Sequence, residues 1–547
     1  MYIKFQKSLR NTYPLFLMLF FTAAFSTTVI EEHFLHVDLD PTVSVIKGRD
    51  KIVARTDGKF WEFELSANLT IHTILIRNNE RLFEKISNED ANSRGQAYYR
   101  LKRKFLESKK QILDITYSGA LYQETGESSF SREKIAMEIS ATISEEGVFL
   151  SPAGGYYPRA QEVYNNFETV IKLPAGWDAV SEGKLLNADK NPLFSEIHFK
   201  TEHPMDGIFI TAALWTVYKE IVDGVEFYTY FFEEDTSLAK DYLNMSIGYV
   251  QMYSEMLSPY PFSKFAVVEN FFPTGYGMPS YTVLGRSVVH LPFIVYTSLG
   301  HEVLHNWWGN SVYIGDGGNW CEGLTAYQAD YYYKLQKSEA DARQYRKEIL
   351  KDFTVYVNAE NDFAPADFVS RTDMASRTIG YGKVAMIFHM IEEMIGTEDF
   401  IQALKTIIAE NSFQPAGFSD FIAAFQKHSG KDLQFFLEHW INEAGNPSLN
   451  LEVKSDKFYL HQSGAIKPLQ VPIHMTYKNG RVTEGHVFTD TETIELSVPD
   501  AANIRRIAVD PDYNVMRRLH KSELDATIRH LLSEETFVFV IPNNNDE

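Results

Sequence analysis

The alternation of apolar and polar residues changes twice along this chain of 547 residues. Between residues 28 and 213, short runs such as KFWEFEL and FETVIKL alternate apolar and polar positions, which is the period of half-buried strands. From about residue 214 helical spacing takes over, as in KVAMIFHMIEEMIG. A Gly-Asn-Pro turn at 445–447 ends this region, and strand-like runs return in LNLEVKSDKFYLHQ. The pattern predicts a multidomain α+β protein with a β domain at 28–213, a mostly helical domain at 214–445 and a small β domain at 446–518.

The two ends of the chain carry patterns of their own. Basic residues followed by the apolar run YPLFLMLFFTAAF, about 13 residues long, predict a signal peptide over residues 1–27 and a secreted or periplasmic protein. An uncleaved membrane anchor is the alternative. In the tail, 519–547, SELDATIRHLLSEE predicts a helix and TFVFVI an apolar strand. We expect this tail to begin a further α/β domain, because a lone helix–strand unit cannot bury such a strand, although the strand could also join the last sheet.

Composition narrows the class of protein. The net charge of −21 argues against a nucleic-acid partner, because phosphate backbones attract basic surfaces. A single cysteine excludes a disulfide framework, and an apolar content of 44% is ample for several cores. Neither the oligomeric state nor the side-chain preference of a binding site can be read from these numbers.

The segment H-E-V-L-H at 301–305 contains candidate metal ligands and a candidate general base. On a helix, His301 and His305 lie four residues apart and project from one face, where a single metal ion can contact both imidazoles. Glu302 is displaced by one helical step, which suits a general base acting on water. A solvated surface helix would explain the pentad alone, but the surrounding YTSLGHEVLHNWWGN is too apolar for one.

A third metal ligand is expected from the next helix. The Gly-rich loop SVYIGDGGN separates the first helix from EGLTAYQADYYYKLQ, which begins at Glu322. A helix, a reversal and a second helix that opens with a carboxylate can bring Glu322 back to the two histidines. Two imidazoles and a carboxylate predict one Zn²⁺ ion with an open position. Cys321 is interpreted as a buried thiol, neither ligand nor nucleophile.

These residues resemble a known family. H-E-V-L-H-N-W-W-G-N followed by N-W-C-E-G-L-T-A-Y is similar to the active-site signature of the aminopeptidase N family of gluzincin zinc metallopeptidases, and similarity extends over most of residues 30–520. The resemblance implies a saddle-like β-sandwich at the N-terminus, a thermolysin-like catalytic domain and a C-terminal β-sandwich. It also implies that Tyr381, in Y-G-K-V-A, donates a hydrogen bond to the oxyanion, as a tyrosine with a pKa near ~10 can.

The chain departs from the family in three places. Sixteen residues separate His305 from Glu322, where the family has eighteen, and a Gly-rich loop absorbs such a difference. The substrate-binding motif G-A-M-E-N is matched by Tyr276 and by Gly277, Met278, Pro279 and Ser280, so that Pro279 replaces the glutamate that binds the substrate's free amine. The sequence after the last β segment also leaves no room for the large helical domain of longer family members, which predicts a more open cleft.

The resemblance implies a peptide substrate and water-mediated hydrolysis. An aminopeptidase that releases N-terminal residues agrees with the family, whereas Pro279 favours an endopeptidase or another zinc hydrolase. The family also contains an epoxide-hydrolysing branch, which the residues here do not discriminate. An inactive peptide-binding scaffold is a further alternative, against which the intact Glu302 argues.

Overall fold

The structure is a computed structural model that describes residues 28–56, 60–101, 110–125, 139–160, 164–454 and 457–524. The predicted signal peptide and residues 525–547 of the predicted tail lie outside the described residues. Across the described residues, none of the helices combines the length and the apolar character that a membrane span requires.

The N-terminal region is built from strands whose alternating residues are buried. The largest sheet has the order β13-β14-β11-β1-β2-β8-β4-β5, beside a four-stranded sheet β12-β15-β10-β9 and a three-stranded sheet β3-β7-β6. All three sheets contribute to one apolar cluster, as Leu113, Val148 and Leu65 illustrate. The elements are β1 (Thr28–Asp40), β2 (Val45–Thr56), β3 (Glu62–Ser66), β4 (Leu69–Ile76), β5 (Asn79–Glu80), β6 (Phe83–Ile86), α1 (Glu89–Ser93), β7 (Gln96–Leu101), β8 (Gln111–Ala120), β9 (Ala141–Ser144), β10 (Gly147–Leu150), β11 (Asn166–Pro174), β12 (Asp178–Val180), β13 (Lys184–Lys190), β14 (Phe194–Lys200) and β15 (Ile210–Ala213).

A five-stranded sheet opens the next region. Its order is β16-β17-β18-β20-β19, with the three middle strands parallel and both outer strands antiparallel to their neighbours. An apolar cluster that includes Trp215, Val268 and Tyr281 joins its inner face to the N-terminal region. The strands are β16 (Thr216–Val222), β17 (Val225–Phe231), β18 (Lys264–Asn270), β19 (Gly275–Met278) and β20 (Tyr281–Gly285).

Helices cover the other face of this sheet and form the largest apolar cluster. One helix, α9, is buried along most of its length, as expected of a segment that is apolar nearly all round. Three π-helical turns interrupt the helices, at Tyr327–Tyr331, Thr378–Lys383 and Phe436–Ile441. The other elements are α2 (Thr236–Met256), α3 (Arg286–Val289), α4 (Ser298–Leu304), β21 (Val312–Ile314), α5 (Cys321–Ala326), α6 (Tyr332–Lys337), α7 (Glu339–Tyr356), α8 (Met374–Arg377), α9 (Val384–Ile395), α10 (Thr397–Asn411), β22 (Gln414–Ala416) and α11 (Phe418–Ser429).

The chain returns to strands after residue 446. Two three-stranded antiparallel sheets, β23-β24-β27 and β26-β25-β28, pack against the helices through the same apolar cluster. A turn at Asn479–Gly480 joins two of the strands, and Gly480 has a φ of 84°, which suits glycine. The strands are β23 (Pro447–Lys454), β24 (Lys457–Gly464), β25 (Leu469–Tyr477), β26 (Val482–Thr489), β27 (Thr493–Leu496) and β28 (Ile504–Val509).

The predicted multidomain α+β fold is confirmed, with a β-rich N-terminal region followed by a helical half. The domain boundaries at 213, 445 and 518 stay predictions. Within the predicted helical domain, residues 216–285 contribute the five-stranded sheet, and this sheet positions the site described next.

Candidate metal centre

Helix α4 and its C-terminal cap residue His305 present the two histidines because the apolar residues of the helix are buried in the core. Leu299, Val303 and Leu304 are fully buried, which leaves His301 and His305 together on the opposite face. Their ring centroids lie 4.9 Å apart and the rings are nearly perpendicular, at 77°. Only 12% of each side chain is exposed to solvent.

Glu322, in the first turn of α5, closes this pair into a three-donor cluster. Its Oε2 atom lies 3.6 Å from Nε2 of His301 and 3.5 Å from Nε2 of His305. Donor atoms bound to one tetrahedral zinc ion, each at about 2.0–2.1 Å, lie about 3.3 Å from one another. The observed spacing and the combination of two imidazoles with one carboxylate therefore fit Zn²⁺.

The second nitrogen of each imidazole is held from outside the cluster. Nδ1 of His301 lies 3.3 Å from Oδ2 of Asp330, and Nδ1 of His305 lies 3.2 Å from the carbonyl oxygen of Trp308. A carbonyl oxygen only accepts hydrogen bonds, so Nδ1 of His305 carries the proton and Nε2 presents its lone pair inward. Such outer partners orient metal-binding histidines and fix their tautomers.

The electrostatics of the cluster favour positive charge at its centre. Burial alone would lower the pKa of His301, but Asp330 and Glu322 outweigh it and raise that pKa to about 10. Burial would raise the pKa of Glu322, yet the two histidines hold it far below its ordinary value. A divalent cation supplies the charge that these carboxylates attract, and it leaves the imidazoles neutral.

Glu302 faces strand β19 across a narrow gap. A Cβ added to Gly277 would lie 2.7 Å from Oε2 of Glu302, so the strand backbone passes directly beside the carboxylate. Burial raises the pKa of Glu302, against the opposing effect of the neighbouring histidines. Because β19 is the outer strand of its sheet in the described part of the chain, an extended peptide can pair with it next to Glu302.

Tyr381 reaches the same cleft from the π-helical turn Thr378–Lys383. Burial, together with the nearby Glu322 carboxylate, raises the pKa of Tyr381 far above its ordinary value. The hydroxyl therefore stays protonated at any physiological pH and is available as a hydrogen-bond donor.

The structure separates the residues of the predicted substrate segment. It places the backbone of Gly277 at the site, whereas the Met278 side chain is buried in the cluster between the sheet and the N-terminal region. Pro279 is half-buried, and together with Ser280 it forms the turn to β20. The Ser280 side chain is fully buried and contacts Lys264 instead of the cleft. A role for these three residues in binding substrate stays a prediction.

Sequence reasoning missed two neighbours of the three-donor cluster and did not place a third residue beside it. Asp330 lies eight residues after Glu322, about two helical turns on, and this spacing was a usable signal. Asn306 contacts the turn at Ser280 and gave no signal. Cys321 is buried as expected, but its Sγ also lies 3.3 Å from Nδ1 of His305.

Two histidines and a glutamate brought together by a helix pair, with a second glutamate beside the outer strand, form an arrangement that is typical of metallopeptidases. Residues 294–440 match the Peptidase family M1 domain. This match, together with similarity to proteins such as the aminopeptidase N of Haemophilus influenzae, supports a relationship with the aminopeptidase N family.

Three relatives are similar to this chain at sequence identities between 22% and 25%. The chain is 25% identical over 243 residues to the tricorn protease-interacting factor F2 of Thermoplasma volcanium, which covers 40% of this chain and 30% of that protein. It is 24% identical to probable aminopeptidase 2 of Sulfurisphaera tokodaii, covering 52% and 37% of the two chains. For aminopeptidase M1-A of Oryza sativa subsp. japonica, the identity is 22% and the coverage is 54% and 36%. The chain thus spans between 30% and 37% of the length of these relatives.

Proposed function

We propose that this protein is a zinc-dependent metallopeptidase that hydrolyses peptide bonds, and that it acts as an aminopeptidase. The observation that carries the proposal is the convergence of His301, His305 and Glu322, with Glu302 turned toward the outer strand β19. Two of the relatives named above are called aminopeptidases, which supports the release of N-terminal residues.

His301, His305 and Glu322 would hold the zinc ion. When bound, zinc supplies Lewis-acid chemistry, which polarises a scissile carbonyl and acidifies water. Glu302 takes the proton of the attacking water and passes it to the leaving nitrogen. Tyr381 donates a hydrogen bond to the oxygen that gains negative charge. Strand β19 aligns an extended peptide through its backbone, beside the carboxylate that moves the proton.

An endopeptidase is the second candidate, and Pro279 is the observation that favours it. The resemblance to the family implies a glutamate at this position for the substrate's free amine, and proline offers an ammonium group no charge. Backbone pairing with β19 does not depend on a free terminus, so the same strand also suits an internal segment of a longer peptide.

Matched peptides with free and acetylated N-termini distinguish the two candidates. The zinc-loaded protein is incubated with both sets, and the products are followed by mass spectrometry, with Glu302→Gln as the control that binds zinc without turnover. Stepwise loss of single residues from the free set alone establishes an aminopeptidase. Internal cuts in both sets establish an endopeptidase, and equal product formation by Glu302→Gln contradicts the mechanism.

We further propose that the protein is exported through its N-terminal segment to the periplasm or the medium. The basic residues and the short apolar run within residues 1–27 support this. Sequencing the N-terminus of the protein recovered from each cell fraction tests it, since a start near residue 28 shows cleavage and a start at Met1 in the membrane fraction shows an anchor.

A further inference from the structure

The turn that joins β19 to β20 is held in a conformation that its residues do not favour. Ser280 has a φ of 73°, in the left-handed region that favours glycine, and its side chain is fully buried. The turn follows directly on the strand segment that passes beside Glu302. Whatever fixes Ser280 therefore also fixes the distance between Gly277 and the Glu302 carboxylate.

Asn306 ties this turn to the helix that carries Glu302. The backbone N–H of Ser280 donates to Oδ1 of Asn306 at 2.8 Å, and Nδ2 of Asn306 donates to the carbonyl of Val303 at 2.9 Å. The hydroxyl of Tyr260 donates to the same Oδ1 at 3.1 Å. Because Asn306 is fully buried, these hydrogen bonds are shielded from competing water.

Lys264 fixes the turn from the side of the sheet. Its Nζ donates to Oγ of Ser280 at 2.7 Å and lies 5.3 Å from the centroid of the Tyr281 ring, while only 3% of the residue is exposed. The hydroxyl of Tyr281 in turn donates to Oε1 of Glu182, a buried residue of the N-terminal region, at 3.3 Å. A buried ammonium group is expensive to desolvate, and an apolar side chain would fill the same space at lower cost.

We propose that Lys264 and Asn306 act, through Ser280, as a buried brace that positions strand β19 against Glu302. Both are positioning residues, because neither touches the reacting atoms. This inference rests on the proposed peptidase function, in which Glu302 must face the backbone of β19. The brace holds the turn between the sheet and helix α4, so its loss lets β19 move away from the carboxylate.

A double-mutant cycle tests whether Lys264 acts through Ser280. Lys264→Met and Ser280→Ala are each expected to lower kcat per zinc-loaded site by about 10-fold to 100-fold, because misplacements of about 1 Å have effects of this size. The double variant is expected to match the lower single variant within about twofold, since both changes break one hydrogen bond. Losses that multiply in the double variant would overturn the proposal. Lys467→Met is the control for removing a buried lysine, as Lys467 lies in the C-terminal β region and contacts Glu443.

Ser280→Gly guards against variants that simply fail to fold. Glycine adopts the positive φ without strain, which offsets part of the cost of removing the hydroxyl that accepts from Lys264, so this variant is expected to lose less Tm than Ser280→Ala. We expect its kcat to fall as in Ser280→Ala. A wild-type kcat in Ser280→Gly would show that the hydroxyl positions nothing.

Hydrogen exchange of the segment 275–280 gives a second measurement that does not depend on activity. We expect faster amide exchange of this segment in Lys264→Met and Ser280→Gly, and unchanged exchange in Lys467→Met. Unchanged exchange in all three variants overturns the brace, even if the protein proves to be a peptidase. Faster exchange together with equal turnover by wild type and Glu302→Gln would instead refute the proposed function and leave the brace standing.

Discussion

Gly277 lies where strand β19 passes closest to the proposed general base, so one added methyl group perturbs Glu302 without replacing any reacting group. A Cβ at Gly277 would lie 2.7 Å from Oε2 of Glu302, whereas ordinary van der Waals contacts begin at 3.4 Å. The carboxylate must therefore move away from the strand by roughly 0.7 Å. The same Cβ would lie 3.4 Å from Cβ of His305, an ordinary contact that leaves this ligand in place. Since a misplacement of about 1 Å can lower a rate by about 10²-fold, we expect Gly277→Ala to reduce kcat by about 10-fold to 100-fold.

The assay compares Gly277→Ala with Gly275→Ala, two residues earlier in the same strand. A Cβ at Gly275 would meet no described atom within 4 Å, so this variant is expected to keep the wild-type kcat. Zinc content and Tm are measured for both, and both should stay close to wild type because the end of a flexible side chain yields easily. Equal kcat values for the two variants, or a loss of zinc that accounts for the loss of rate, would refute the reasoning about Glu302.

Three further predictions concern the surroundings of the site and the core. Asp330→Asn weakens the interaction that residue 330 makes with Nδ1 of His301. Zinc affinity, measured by chelator competition, should therefore fall by about 10-fold to 100-fold, and an unchanged affinity would contradict a role for Asp330 in orienting His301. Tyr381→Phe should lower kcat by about 10²-fold to 10³-fold at unchanged zinc content, and a smaller effect on kcat would remove Tyr381 from the mechanism. Burial lowers the pKa of His389 from 6.5 to about 3. The neutral imidazole therefore contributes fully to the free energy of unfolding above pH 6.5, and this contribution, on the order of a few kcal/mol, is lost as the pH falls toward 3. Urea unfolding of His389→Phe should show a weaker pH dependence over this range than the wild type shows.

The order of strand-rich and helix-rich regions could be predicted because it depends on local periodicity. The burial of β1 alternates along most of its length, and α9 is apolar nearly all round and buried nearly all round. The three-donor cluster was also accessible, because His301 and His305 share one helix and Glu322 opens the next. In each case, a periodic pattern or a pair of successive helices that the sequence predicts carries the information.

Contacts that depend on the order of strands in a sheet or on the exact course of a chain reversal could not be predicted in this way. Lys264 and Ser280 lie sixteen residues apart and meet only because β18 and β20 are neighbours in the sheet. The sequence predicted that Cys321 is buried, but not that the chain reversal places its thiol beside His305. Pro279 is a similar case, because the sequence identifies the residue but does not show which part of a bound peptide would lie beside it.

The sixteen-residue spacing between His305 and Glu322 is compatible with the three-donor cluster because buried tryptophans, together with the pairing of β21 with β22, hold the segment between α4 and α5 in place. Trp308 and Trp320, on either side of the loop, are fully buried, and their rings lie 6.0 Å apart. Nε1 of Trp308 donates to Gln328 at 2.7 Å, and Nε1 of Trp320 donates to the carbonyl of Ala416 at 2.7 Å, so each ring is fixed in position as well as in orientation. Between these two anchors, glycines at positive φ turn the chain. The anchored rings therefore contribute to the distances from Glu322 to the two histidines, so that the number of residues between the donors does not set these distances alone.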